Sequence, residues 1–236
     1  MSWVKNREEF KQAALSTARA VSKNQNLEST SQASSRPPSS SQLSLQYPPR
    51  SSSQIDTWRG EADFQTFWHA FHKEYASIKM PKIARDFFTE LELSRVEMVG
   101  GEKFPGAKIN LNAYLNTQAK KGIDNKVPPL NPLAVNLWLK QLNGETLAED
   151  SKNTVNAFLS SIPIKIDDVG QKLIEAQNSQ EKFQSIAISL MKDLDLMHEP
   201  ETEGGQESLE DEPTPEEPQD SGEQEQEAED DTQEQT

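Results

Sequence analysis

The stretch 81–115, PKIARDFFTELELSRVEMVGGEKFPGAKINLNAYL, constrains the fold more than any other part of the chain. It reads as a helix, a glycine break and a second helix. Pro81 suits the first helical position, having no N–H to lose and a preset φ. Ile83, Phe87, Leu91 and Met98 recur at spacings that keep them on one face. Gly100-Gly101 offers the left-handed backbone that ends a helix cheaply. Pro105-Gly106 turns the chain, and Ile109, Leu111 and Leu115 supply a second apolar edge. One residue breaks the pattern. At about 100° per residue, Arg95 falls inside the apolar arc, beside Leu91 and between Ala84 and Phe88. A guanidinium there needs a partner, while its stem can pack on apolar neighbours. The expected partner is a carboxylate on the preceding helix: Asp63 or Glu74 on one flank, or Glu61 on the other. Arg85 falls on the opposite face.

Helical periodicity recurs elsewhere. Residues 2–23 form a short basic amphipathic helix, with Trp3, Phe10, Ala14 and Val21 near one face; it is expected to dock on its own domain or on a partner. Residues 24–53 are rich in Ser and Gln, include Arg36-Pro37-Pro38, and read as a mobile linker with almost nothing to bury. The next helix runs to about residue 78, with an aromatic face of Phe64, Phe67, Trp68, Phe71, Tyr75 and Ile78. Gly60 interrupts that face, and a glycine costs about 1 kcal/mol in a helix, so a close crossing is expected to need the missing side chain. Residues 120–130 read as a loop closed by Val127-Pro128-Pro129. Asn131 then caps a helix with Pro132 at its first position and Gly144 past its end. Helices follow over 147–161 and 166–177. Asn178 to Glu181 has the spacing of a capping box and opens a last helix carrying Phe183, Ile186, Leu190, Met191 and Leu194. Nothing between 54 and 198 alternates with period two for long enough to demand a strand. The expectation is an all-α fold: an irregular multi-helix domain over 54–198, flanked by the disordered Ser-rich linker and a disordered acidic C-terminal tail over 199–236, with the amphipathic helix at 1–23.

Charge follows the same division. Of the net −15, residues 199–236 hold 17 acidic side chains and no Lys or Arg, whereas 54–198 hold 17 basic and 19 acidic. The total therefore says little about partners of the folded part. There is no cysteine, so no disulfide framework, thiolate metal site or thiol nucleophile. No run of 18 apolar residues suggests a membrane span, and the charged N-terminus lacks a signal core, which fits the cytoplasm. GxxxxGK[ST] and Gly-x-Ser-x-Gly are absent, and no basic stripe points to nucleic acid. His69 and His72, three apart, lack a third ligand fixed by spacing. Asp167-Asp168 and Asp193/Asp195 have no EF-hand spacing. The residues alone thus identify no catalytic, cofactor or metal site, and read as a helical interaction domain.

Three ordered segments carry a resemblance. ARDFFTELELSRVEMVGGEKFPGAKINL resembles the ARxxFxxLExxRVExxGxxxxxGxxxNL segment of the CobT subunit of the aerobic, ATP-dependent cobaltochelatase, matching at Arg85, Glu92, Arg95, Glu97, Gly100 and Asn110. Arg59-Gly60-Glu61-Ala62-Asp63, with His72 downstream, resembles the RGxAD helix and histidine of that family. LMKDLDLMHEPETEGG before the acidic run is similar to its passage into an acidic linker; FKQAALSTARAV is similar to its first helix. In the family that linker leads to a von Willebrand factor A domain whose metal site begins D-x-S-x-S, a motif this sequence lacks, so the resemblance covers the N-terminal part. It implies a non-catalytic subunit for cobalt insertion into a corrin ring in cobalamin (vitamin B12) biosynthesis, acting as assembly and coupling partner of an AAA+ ATPase subunit beside a large corrinoid-binding subunit. ATP, Mg and cobalt would be handled by the complex rather than by this chain. The alternatives are a truncated or repurposed CobT-like interaction module with no role in cobalt insertion, and an acidic metal-buffering protein.

Overall fold

The computed structural model describes residues 3–39, 41–74 and 79–198, with side chains from residue 7 onward. Its regular elements are α1 (Trp3–Ser22), β1 (Glu28–Thr30), β2 (Gln42–Ser44), α2 (Ile55–Phe71), α3 (Lys82–Lys103), α4 (Ala107–Asp124), α5 (Pro132–Leu142), α6 (Glu149–Ser161), α7 (Asp167–Glu175) and α8 (Gln180–Asp193). The class is all-α. The acidic tail assigned to 199–236 lies outside the described residues.

The axis is α3, which packs on α2, α5 and α8. Residues 90–101 are all buried, so this helix meets protein on every side. A helix buried all round is ordinarily apolar throughout. Here Glu90, Glu92, Arg95 and Glu97 are buried alongside Leu91, Leu93, Val96 and Met98. The helix also continues through Gly100-Gly101 to Lys103, contrary to the expected break. The reason is steric: the Phe67 ring lies against Gly100, where a Cβ would overlap it. Two apolar residues assigned to the core are instead on the surface, Ile83 at 42% and Ile109 at 68% exposure. The packing needs of α3 are met by Phe87, Phe88 and Leu91, leaving Ile83 outside.

The second arm of the hairpin, α4, extends to Asp124, well into the stretch expected to be a loop. It lies along α2, and Gly60 sits at the crossing. A Cβ on Gly60 would fall inside contact distance of the Asn110 backbone oxygen and Tyr114 Cβ. The glycine does permit a close crossing, and the partner is α4. The helix α2 ends at Phe71, where the chain becomes extended at His72; Tyr75 and Ile78 lie outside the described residues. On α5, the Asn131 Oδ1 accepts from Ala134 N at 3.1 Å, with Pro132 following. On α8, the cap is Ser179, one residue later than the Asn178 to Glu181 spacing implied. Phe183, Leu190 and Met191 of α8 are buried in the main core, with Trp138, Val155 and Phe158.

The Ser-rich tract 24–53 is folded, which corrects its reading as a mobile linker. β1 and β2 pair in parallel, Ser29 opposite Leu43. Leu27, Leu43 and Leu45 are buried with Leu15 and Ala18 of α1 and with Trp58 and Ala62 of α2, forming a second core. The inward residues of α1 are therefore Leu15 and Ala18, with Phe10 tilted on Trp58 at a ring separation of 5.6 Å; nothing is described of the Trp3 side chain. Three leucines suffice because the polar backbone around them is satisfied: Gln65 Oε1 accepts from Ser44 N at 2.7 Å, and its Nε2 donates to Ser44 O at 3.0 Å.

Candidate functional site

The charged residues of α3 divide into two buried centres. In the first, Arg95 is 3% exposed. Its Nη2 donates to Glu92 Oε1 at 2.7 Å and its Nε to Glu92 Oε2 at 2.9 Å. Nη2 also donates to Phe71 O at 2.7 Å, and Nη1 to Gln177 O at 3.2 Å. His72 Nδ1 lies 2.9 Å from Glu92 Oε1, and its ring stacks on Trp68 with centroids 3.8 Å apart. The end of α2 and the start of α8 are thereby tied to the middle of α3. Arg95 is held by a carboxylate, as its position required, but by Glu92 one turn earlier on its own helix. The expected partners are engaged elsewhere or in solvent: Asp63 meets Asn110, Glu61 meets Ser34, and Glu74 is exposed. An i,i+3 pair needs no second helix to bring it together, which explains the outcome.

In the second centre, Glu97 faces two cations. Arg36 Nη2 donates to Glu97 Oε1 at 3.2 Å, and Lys140 Nζ lies 3.3 Å from Glu97 Oε2. Arg36 also grips Glu90 with Nε and Nη2, each at 2.8 Å. Asn136 Nδ2 lies 3.4 Å from both Glu90 Oε2 and Glu97 Oε2. Burial opposes the charge on Arg36, but Glu90 and Glu97 outweigh it and hold its pKa well above the usual value. This centre fastens the Ser-rich tract onto α3 and α5. Sequence reasoning picked out Glu97 and missed Arg36, Lys140, Glu90 and Asn136. A signal existed, since Glu90 and Glu97 are seven apart on a helix and so share one face of it.

A third grouping surrounds the α2–α4 crossing. Asn110 Nδ2 donates to Asp63 Oδ2 at 2.8 Å beside Gly60. Burial raises the Asp63 pKa, against the Asn110 hydrogen bond and the charge of Arg59. The Arg59 guanidinium lies 5.1 Å from the centroid of the Phe10 ring on α1. The structure therefore brings together Glu92, Arg95 and His72 in one place and Gly60, Asp63 and Asn110 in another. Glu97 belongs to the second centre, Gly100 lies under Phe67, and Arg85 is exposed. His69 is not paired with His72 as a chelate. Its Nε2 is 3.4 Å from Gln42 O, and burial lowers its pKa against that hydrogen bond. Among the described residues, no three His, Cys, Asp or Glu converge in a way that could hold a metal ion. Nor is any helix there long and apolar enough to cross a membrane.

Fold and buried centres together define an all-α protein whose buried charged residues join its helices from within. A family model described as "Cobalamin biosynthesis protein CobT" matches residues 4–236. The chain belongs to the CobT family, which associates it with cobalamin biosynthesis. No curated protein and no solved structure matches the chain significantly.

Proposed function

We propose that this chain is a non-catalytic subunit of a cobaltochelatase complex, acting as assembly and coupling partner of an AAA+ ATPase subunit in the cytoplasm. Cobalt insertion into the corrin ring then takes place on a large corrinoid-binding subunit, and ATP, Mg and cobalt are handled by the assembly. The observation that carries this reading is the family match over 4–236. What supports a binding role for the chain is how its buried polar residues are used: Glu92, Arg95, Glu97, Asp63 and Asn110 direct their polar groups at one another or at neighbouring elements. Such groups set the relative placement of helices, and so the shape of the outer surface a partner would meet.

The test is reconstitution. The full chain is mixed with a cognate AAA+ subunit and large subunit, and cobalt insertion into a hydrogenobyrinic acid diamide is measured with ATP. Co-elution with the AAA+ subunit and insertion dependent on all three are expected. Turnover by the chain alone would refute the non-catalytic assignment, and failure to co-elute would favour an interaction module with another partner.

A further inference from the structure

Phe10 and Ala14 of α1, Trp58 and Asp63 of α2 and Asn110 of α4 line a cleft of about 260 Å³ beside the α2–α4 crossing. Pockets for whole drug-sized ligands begin near about 300 Å³, so this one fits a single side chain. The Phe10 and Trp58 rings, 5.6 Å apart, give it an apolar side. The other side carries a carboxylate.

That carboxylate lacks a cation. The buried acids of α3 each have one: Glu92 has Arg95, Glu90 has Arg36, and Glu97 has Arg36 and Lys140. Asp63 is half-buried, accepts one hydrogen bond, from Asn110 Nδ2 at 2.8 Å, and forms no ion pair with a described residue. Arg59, one turn earlier, acts on its charge but places its guanidinium against the Phe10 ring, 5.1 Å from the centroid. Burial outweighs both influences, and the Asp63 pKa is raised. Asp63 Oδ1 and Asn110 Oδ1 accept no hydrogen bond from any described residue. The chain thus bears the cost of a desolvated carboxylate without a counter-ion of its own. A group kept at a cost to stability in a cleft points to a use outside the fold.

The lining decides what it would take. An anion would meet Asp63. An apolar group would strip the carboxylate of its remaining water and return nothing. A metal ion would find no cluster of three His, Cys, Asp or Glu among the described residues. A guanidinium suits both sides, because its planar fork can donate to two neighbouring acceptors while its stem packs on aromatic rings. We propose that this cleft receives the guanidinium of an arginine side chain from a partner protein, with Asp63 as counter-ion and Asn110 as second acceptor. One ion pair in an open cleft is too weak to retain a free small molecule, whereas arginine is a frequent anchor within wider interfaces. The source of the arginine rests on the partner-binding role proposed above; the preference of the cleft does not.

The test is a residue-resolved NMR titration of the full chain with acetyl-arginine-N-methylamide at constant ionic strength, beside its citrulline analogue, which is neutral and nearly the same shape. Saturable shifts at Ala14, Asp63 and Asn110 are expected with arginine, and binding at least about tenfold weaker with citrulline. Asp63→Asn keeps the Asn110 contact and removes the charge. It should bind arginine at least about tenfold more weakly, yet melt higher than the parent chain at neutral pH. That opposite movement separates a ligand site from a purely structural carboxylate, whose loss would lower stability. Ala13→Phe, at an exposed position of the cleft wall, narrows the site with Asp63 intact and should also abolish the shifts. Equal binding of citrulline, shifts confined to the acidic residues 199–236, or arginine binding retained in Asp63→Asn would overturn the proposal. Since the titration contains no chelatase subunit, failure to co-elute with the AAA+ subunit would leave its result standing.

Discussion

Glu92 and Arg95 lie one turn apart on the same helix and face each other inside the protein, joined by two hydrogen bonds of 2.7 and 2.9 Å. Pairs at this spacing on an exposed helix contribute a few tenths of a kcal/mol. This one is buried and shares its remaining groups with His72, Phe71 O and Gln177 O. Removing one partner leaves the other charge uncompensated. Arg95→Ala is therefore expected to lower unfolding free energy by about 3–5 kcal/mol. Arg85→Ala, on the exposed side of the same helix, should shift it by less than about 0.5 kcal/mol. Urea unfolding of both variants checks the contrast, and equal small shifts would contradict the buried geometry.

The α2–α4 crossing makes a second, steric prediction. Adding a Cβ at Gly60 would press on backbone at Asn110, which cannot rotate away. Gly60→Ala should destabilise the chain by roughly 1–3 kcal/mol despite its better helix propensity. Gly106→Ala is the control, since no atom lies within 4 Å of a Cβ built there and its φ of −62° suits any residue. It should be neutral, or stabilising by up to about 1 kcal/mol through the unfolded state. Thermal melts of the two variants distinguish the crossing from a general intolerance of substitution.

Asp63 gives a pH dependence with a definite sign. Its folded pKa is raised, chiefly by burial, so the folded state binds more protons than the unfolded state between the two pKa values. Stability from this group is present below its unfolded pKa and is lost as pH rises through its folded pKa. Asp63→Asn keeps an oxygen to accept from Asn110 Nδ2 and removes the ionisation. The variant should melt higher than wild type at neutral pH, with the difference shrinking as pH falls below the folded Asp63 pKa. Melting curves over the acid range check this; a gain that grows toward acid would reverse the assignment.

Helical periodicity made most of α2 to α8 legible because apolar residues at 3–4 spacing leave few alternatives to an amphipathic helix. Arg95 was legible as a buried cation because it stood inside such an arc. Its partner was not, because a same-helix carboxylate one turn away looks like any surface pair until burial is known. The Ser-rich tract was illegible for a related reason. Composition averages over thirty residues, whereas its order depends on Leu27, Leu43 and Leu45 and on Arg36, whose partners Glu90 and Glu97 lie more than fifty positions away. Gly100-Gly101 misled because close approach and helix termination both select glycine, and only the position of Phe67 separates them.

That long-range dependence leads to the last prediction. Arg36 supplies the main ionic link between the Ser-rich tract and the rest of the fold, through Glu90 and Glu97 on α3. Arg36→Ala would leave Glu90 without its cation and Glu97 with Lys140 alone. The expected cost is roughly 3 kcal/mol, reduced somewhat because Glu90 retains slight solvent contact. The loss should be felt first where little else holds the chain, at the short β1–β2 pairing and the leucines beside it. Hydrogen exchange at Leu43, Ser44 and Leu45 should accelerate strongly in Arg36→Ala, while amides of α8 around Phe183 and Leu190 stay protected. Arg36→Lys keeps the charge but loses the two-pronged grip on Glu90, so it should fall between wild type and alanine. Equal acceleration across α8 would mean that the tract and the helical core unfold as one cooperative unit. Unchanged exchange at Leu43 to Leu45 would mean that the leucine cluster alone anchors the tract and that the ion pair is dispensable to it.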